Sequence, residues 1–338
     1  MPVFSILTAT FNHEKYLEEC ILSVLAQTFP DWEMIILDDG STDRTGEIAR
    51  WWEARDKRIR YHRQENMGIG ALAETNNTGL SLANGRYISI LEGDDCWEPD
   101  KLRRQFDAME HYPDVVVAWG RAVAMVSETQ QIQRISPPES LAPGPFWPNR
   151  PAGSILNVLY LENIIPAVTI TIRKSTLVAA GGFQQPSGFP TADLPTLVHL
   201  ALMGAFFFDD NVLGKWRVYS GQITKMYPVE MAQSRWGFIR EHARALQPSF
   251  KKVVKLSVEE IDCHFKNRLM IAYATSGRYR LMRKEFREAR KDYLKAIFFK
   301  VPGNQLWRLR AIIGYLYSLF HRNVEGLSRK LGKISYQE

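Results

Sequence analysis

Short apolar runs alternate with longer amphipathic stretches over the first 126 residues. Residues 3–8, 34–37, 87–91 and 115–119 are apolar runs of strand length bounded by polar or Gly-containing turns, the pattern of strands buried on both faces of a sheet. A further short strand is expected near Ile59-Arg60-Tyr61. Between them, Tyr16, Leu17, Cys20, Ile21, Val24 and Leu25 mark one face of a helix at 3.6-residue spacing. A second helix runs through Ile48, Ala49 and Trp52, with Ser41 or Thr42 available as its cap. Others are expected over 70–83 and 100–111. This alternation predicts βαβ units around a mostly parallel central sheet flanked by helices.

The rhythm changes beyond residue 126. Six prolines between Ser136 and Pro151 (Pro137, Pro138, Pro143, Pro145, Pro148 and Pro151) exclude a regular helix or central strand and predict a loop, an acceptor-side flap. Residues 168–172 then read as a strand, 174–180 as a short helix ended by Gly181-Gly182, and 194–203 as a helix ended by Gly204. From about Met231 strand signals stop. Met282, Phe286, Ala289 and Tyr293 recur at helical spacing among basic residues, and the apolar patch 311–320 follows. The expected organisation is an α/β domain over 1–228, in parts 1–126 and 127–228, and a basic amphipathic helical extension over 229–338.

Composition supports a sizeable core, with 45% hydrophobic and 24% charged residues in 338. Three scattered cysteines, Cys20, Cys96 and Cys263, argue against a disulfide framework. The N-terminus lacks a basic start and reads directly as a strand, and no apolar run reaches the ~18 residues that would span a bilayer, so a cytoplasmic protein is expected. The formal charge is +6, and residues 278–333 hold 15 Lys/Arg against four acids, so the tail carries +11 and the remainder −5. No nucleic-acid motif accompanies that tail. Clustered cations beside apolar side chains suit an anionic membrane surface better, and peripheral attachment to the cytoplasmic membrane face is the expectation.

The chemistry lies at two strand ends. Asp38-Asp39 closes the run 34–37, and Glu92-Gly93-Asp94-Asp95 follows the run 87–91. In an open α/β sheet ligands collect at the carboxyl ends of strands, and paired carboxylates there seat a divalent cation. Hard oxygen donors select Mn²⁺ or Mg²⁺ over Zn²⁺. The segment Asn66-Met67-Gly68-Ile69-Gly70 has neither the G-x-G-x-x-G nor the Gly-Lys-Ser/Thr signature of other nucleotide loops. The pattern predicts a polar, metal-assisted nucleotide site.

In order, Ala9-Thr10-Phe11-Asn12, Asp38-Asp39-Gly40-Ser41-Thr42-Asp43, Asn66-Met67-Gly68, Asn76-Asn77-Thr78-Gly79-Leu80 and Glu92-Gly93-Asp94-Asp95 resemble the motifs of family 2 inverting glycosyltransferases of the GT-A fold, over about residues 1–225. The resemblance implies non-processive transfer of a sugar from a nucleotide-diphosphate donor, commonly a UDP-sugar, to an acceptor hydroxyl of a glycan or lipid-linked glycan. It implies that Asp95 binds metal, that Asp94 shares it or faces the ribose, and that Glu92 stands where an Asp is common. Asp39, with Asp38 beside it, would face the base; Ala9, Thr10 and Phe11 would lie along the nucleoside, and Asn66, Gly68 and Asn76 along the nucleoside and diphosphate. The base would be Asp193, in Thr191-Ala192-Asp193-Leu194 after Gly181-Gly182-Phe183, with Ala192 replacing the usual Glu. Arg217, in Trp216-Arg217-Val218-Tyr219, would contact phosphate or serve as a structural ion pair. Thr75, Ala192 and Tyr219 depart from the family pattern and keep open a catalytically silent nucleotide-sugar-binding scaffold. A sugar nucleotidyltransferase is the other alternative, although its usual Gly-rich, cationic N-terminal loop is missing.

Overall fold

The computed structural model describes residues 1–127, 131–139, 141, 143–144, 146–219, 227–301 and 303–322. The chain forms two compact units, one of Met1–Val218 with Gln247–Lys255 and one of Tyr219–Leu246 with Leu256–Glu338. The division falls about ten residues before the expected one. The segment Gln247–Lys255 belongs to the first unit: Asn157 donates from Nδ2 to the Val253 carbonyl at 3.1 Å and accepts from the Lys255 amide at 2.7 Å.

Among the described residues, the first unit is built on a nine-stranded sheet. Its strands are β1 (Phe4–Thr10), β2 (Trp32–Asp38), β3 (Ile59–Arg63), β4 (Tyr87–Ile90), β5 (Cys96–Trp97), β6 (Val115–Val126), β7 (Ile132–Ser136), β8 (Thr171–Arg173) and β9 (Ala205–Val218). They run in the order β3-β2-β1-β4-β8-β6-β9-β5, with β7 also paired to β6. The run β3-β2-β1-β4 is parallel. Hydrogen-bonded on both sides and covered on both faces, β1 and β2 are apolar throughout their middles, with no residue of β2 exposed. Parallel order is interrupted by β8, antiparallel to both β4 and β6, and resumes between β6 and β9. The sheet is therefore mixed, and its longest parallel run, β3-β2-β1-β4, is the half that the strand–helix alternation predicted.

Helices α1 (Leu17–Leu25), α2 (Thr45–Glu53) and α3 (Leu72–Leu82) make the crossovers of the β3-β2-β1-β4 run, and α4 (Lys101–His111) leads from β5 into β6. Leu17, Cys20, Ile21 and Val24 of α1 are buried, as the spacing predicted. The expected strand at 168–172 is a 3-10 turn, Ala167–Thr169, followed by β8. Short helices α5 (Leu156–Leu159), α6 (Lys174–Ala179) and α7 (Asp193–Leu200) serve the second half. Pro145 and residues 128–130, 140 and 142 lie outside the described residues; among the described ones, 137–155 hold neither helix nor strand, as the prolines require.

The first chain reversal in strand order falls between β1 and β4, which places a crevice at their carboxyl ends. Close approach there is built in. The Gly93 amide donates to the Ala9 carbonyl at 2.9 Å, and a Cβ on Gly93 would stand 2.5 Å from Thr10 Oγ1.

After the return segment's α9 (Pro248–Lys251), the second unit is helical, with α8 (Pro228–Ala245) before it and α10 (Val258–Met282), α11 (Phe286–Phe298) and α12 (Gln305–Leu319) after it. Gln233-Ser234-Arg235-Trp236 lies within α8. The helix α10 opens on a capping box in which Ser257 Oγ accepts from the Glu260 amide at 3.2 Å and the Glu260 carboxylate accepts from the Ser257 amide at 2.8 Å. The stripe Met282, Phe286, Ala289, Tyr293 does not belong to one helix. It breaks at residues 283–285, where Lys284 takes φ +63°. Ala289 and Tyr293 are core residues, packed with Met270, Ala274, Leu281 and Ala311. Residues 323–338, including Arg329, Lys330 and Lys333 of the basic tail, lie outside the described residues. Among the described residues no helix is long and apolar enough to cross a membrane.

Candidate active site

Three carboxylates converge beyond the end of β4. Glu92, Asp94 and Asp95 each bring an oxygen to within 4.8 Å of the others. Glu92, one methylene longer than the residue common at its place, is thus inside the cluster. Asp94 and Asp95 are buried. Asp95 is held from the far side of the sheet: the β5–β9 pairing sets Cys96 opposite Lys215, and the Arg217 amide then donates to Asp95 Oδ1 at 2.9 Å. His13, at the end of the β1 turn, places Nε2 4.0 Å from Asp94 Oδ2.

Burial and mutual repulsion dominate this cluster. Loss of water first, then the charges of Asp94 and Asp193, push the Glu92 carboxyl up to about 8. Loss of water and the charges of Asp94 and Glu92 also hold Asp95 well above the usual carboxylate range, against the donation from Arg217. A hard cation would relieve that repulsion, and three carboxylates offering one oxygen each within such a span are a donor set that fits Mn²⁺ or Mg²⁺.

Asp193 begins α7. Its Oδ2 accepts from Asn163 Nδ2 at 2.9 Å, while Oδ1 is buried with no hydrogen-bond partner among the described residues. Its charge is felt at Glu92, so it belongs to the same electrostatic neighbourhood. Ala192, at the N-cap, offers no side-chain cap. The loop before it is fastened to α3. Gly182 takes φ +84°, and a Cβ there would meet Asn77 Oδ1 at 2.3 Å. Asn77 in turn accepts from the Phe183 amide at 2.8 Å and donates to its carbonyl at 3.0 Å. Gln185 accepts from the Ala73 amide at 2.8 Å and donates to the Ile69 carbonyl at 2.7 Å.

Asp38 and Asp39 are placed differently from the cluster. Asp38 is fully buried and accepts from the Ser41 amide at 2.8 Å and from Tyr61 OH at 2.6 Å. Burial and that bond push Tyr61 up to about 12. Through these two bonds Asp38 shapes the turn that carries Asp39. Asp39 accepts from Gln64 Nε2 at 2.8 Å and from the amides of Met67 and Gly68 at 3.0 and 3.1 Å. Asn66 Nδ2 donates to the Asp39 carbonyl at 2.7 Å, and Gly40, at φ +77°, makes room for the Asn66 backbone. Asp39 therefore presents the segment 66–68. Thr75, where an Arg would be usual, is buried and takes a hydrogen bond from Gln64 Nε2 at 2.8 Å.

The nucleoside residues of the β1 end are divided. Phe11 is exposed, Thr10 is buried and Ala9 half-buried. Thr10 Oγ1, His13 Nδ1 and Asn76 Oδ1 are buried atoms without a partner among the described residues. Arg217 forms an ion pair, the structural one of its two expected roles. The residue is buried, its guanidinium is paired with Glu19 and lies 3.6 Å from Cys96 Sγ, and it stacks 5.0 Å from the Tyr16 ring centroid. Burial raises Cys96 to about 12, a packed thiol. Sequence reading missed Asn163, Gln185, Glu19 and His13, whose roles depend on partners 30 to 198 positions away.

Residues 5–176 match the family described as Glycosyl transferase family 2. TuaG of Bacillus subtilis, named for teichuronic acid biosynthesis, is 31% identical over 245 residues, 72% of this chain and 89% of TuaG. The match to EpsJ of the same organism, an uncharacterized glycosyltransferase, is 45% identical but spans 36% of this chain and 34% of EpsJ. Two solved structures share the fold. S. aureus TarS 1–349, in complex with UDP-GlcNAc, has a TM-score of 0.56 at 16% identity, covering 98% of this chain and 93% of that one. The mannosyltransferase PcManGT of Pyrobaculum calidifontis, in complex with GDP-Man and Mn²⁺, has a TM-score of 0.58 at 18% identity, covering 94% and 87%.

Proposed function

The chain belongs to glycosyl transferase family 2 and is a glycosyltransferase acting on nucleotide sugars; on that premise we propose an inverting, non-processive hexosyltransferase that uses a UDP-sugar and a divalent cation. The acceptor in this reading is a hydroxyl of a glycan or lipid-linked glycan in cell-envelope polysaccharide synthesis, reached from the cytoplasmic membrane face. The observation that carries it is the convergence of Glu92, Asp94 and Asp95 at one strand end, in the same electrostatic neighbourhood as Asp193.

Mn²⁺ or Mg²⁺ would be held by Asp95 and Asp94 with Glu92, and when bound it neutralises charge on the departing diphosphate. The chain's own residues do the rest. Asn66 and Gly68, presented by Asp39, and Thr10, Phe11 and Asn76 line the donor path. Asp193 takes the proton of the acceptor hydroxyl on Oδ1 as that oxygen attacks the anomeric carbon; the bond to the nucleoside diphosphate breaks on the opposite face. Asn163 fixes Oδ2 and so directs Oδ1. Asp193 acts through position, and a base so placed contributes roughly 10²–10⁴-fold.

The test is calorimetric titration of UDP, GDP, TDP and CDP with and without Mn²⁺, coupled to a transfer assay. Asp193→Asn is expected to bind UDP as the parent does and to lose transfer by about 10²–10⁴-fold. Equal loss of donor binding would contradict its role as base, and preference for GDP would replace the donor.

A further inference from the structure

The helix α12 packs on its own unit through Ala311, Gly314 and Ser318. A Cβ on Gly314 would lie 2.2 Å from the Tyr293 ring, so this face is as close to the core as a backbone allows. At about 100° per residue, the opposite face carries Leu309, Ile312 and Leu316, with Leu306, Leu319 and Phe320 beside them. The outer side of a helix in a globular unit is ordinarily its polar side. Here those six residues are 41–74% exposed, and Gln305 is the one polar residue among them.

The borders of this stripe are cationic. Arg308 stands on one flank, donating to the carbonyls of Phe299 and Val301 at 2.9 and 2.7 Å. Arg310 stands on the other, 4.6 Å over the Trp307 ring. From residue 293 to 324 the sequence has no Asp or Glu and five Lys/Arg: Lys295, Lys300, Arg308, Arg310 and Arg322. In the same unit an open groove of about 570 Å³ sets Lys266, Lys295 and Lys300 against Trp236, Tyr273 and Phe298.

We propose that α12 is the docking surface for an anionic phospholipid bilayer, lying in the headgroup plane with its apolar stripe toward the acyl chains and its arginines at the phosphates. This deepens the membrane-face reading above and rests on it. An apolar stripe bordered by cations is the signature of an interfacial helix, and an anionic leaflet supplies the counter-charge that the surface itself lacks. A second copy of the chain would bring the same cations together, and residues 293–324 hold no acid to set between them.

Co-sedimentation of the full chain with phosphatidylcholine vesicles, with and without phosphatidylglycerol, tests this. Binding is expected to the anionic vesicles alone and to weaken with salt. Leu309→Gln combined with Leu316→Gln is expected to lower vesicle affinity by at least about tenfold with an unchanged circular dichroism spectrum, and Arg310→Gln to reduce the preference for phosphatidylglycerol. Parent protein that binds neither vesicle would overturn both this proposal and the membrane-face reading. Full binding by the double variant would overturn the assignment to α12 alone. A dimer by light scattering, converted to monomer by the double variant and indifferent to vesicles, would assign the face to a second copy instead. Nucleotide titration runs on a separate arm, so a failed donor site leaves this result intact.

Discussion

Asp38-Asp39 and Glu92-Gly93-Asp94-Asp95 end strands on either side of β1, yet their carboxylates live under opposite conditions. The first pair is surrounded by donors: Ser41, Tyr61, Gln64, Met67 and Gly68 all point hydrogens at it. The second group is crowded by its own carboxylates; the Arg217 amide donates to Asp95, and His13 Nε2 stands 4.0 Å from Asp94. A buried carboxylate ringed by donors organises the chain around it, whereas carboxylates crowded against one another store repulsion that a cation can relieve. Acidic strand ends are thus of two kinds, and the like charges crowded against them separate the kinds.

The sharpest way to break this comparison is Asp95→Asn, which removes a charge and keeps the acceptor for Arg217. Metal-dependent UDP binding should fall by about a hundredfold or more, while metal-free thermal stability at pH 8 should hold or rise, because a like charge has gone. A fall in both would make Asp95 a structural acid like Asp38. Next in size, Asp38→Ala should cost about 3 kcal/mol in urea unfolding, since two bonds to a buried charge are lost and Tyr61 is left unpaired.

The pH dependence separates the groups further. A carboxyl whose folded value lies above its unfolded one holds its proton more tightly when folded, so stability declines as pH rises from the unfolded value to the folded one. For Glu92 that window runs from 4.5 to about 8. Thermal midpoints in EDTA should therefore drop by a few degrees across it, Mn²⁺ should restore the upper end, and Glu92→Gln should flatten the slope. A flat parent profile would remove the stored repulsion from the account. The smallest effect is expected for Glu92→Asp, which should change metal-dependent binding by less than about tenfold, because Asp94 and Asp95 keep the hard donors.

Much of this was legible in the chain itself. The strands of the parallel half are continuous apolar runs because both faces are covered, and the acids follow them directly. The long strand β9 escaped notice because Asp209-Asp210-Asn211 interrupts its apolar pattern; Asp209 is in fact paired with Arg104 at 2.7 Å, from a helix more than a hundred residues earlier. The strand β5 is two residues long and exists through its partner. Asp94, Asp95 and Asp193 could be picked out as residues, but the difference between Asp38 and Asp95 could not, since it lies in what the fold aims at each. Arg217 illustrates the same point: its side chain is committed by Glu19, 198 positions away.

The clasp between Asn77 and the Gly182-Phe183 backbone bears on how such an enzyme could be re-engineered. The loop that carries Asp193 is stitched to α3 by Asn77 and again by Gln185. The two halves of the catalytic unit are consequently not interchangeable cassettes. A chimera that imports another acceptor loop should splice beyond Gln185, or import the matching α3 with it, because a seam placed earlier would leave Asn77 facing a side chain where only glycine fits.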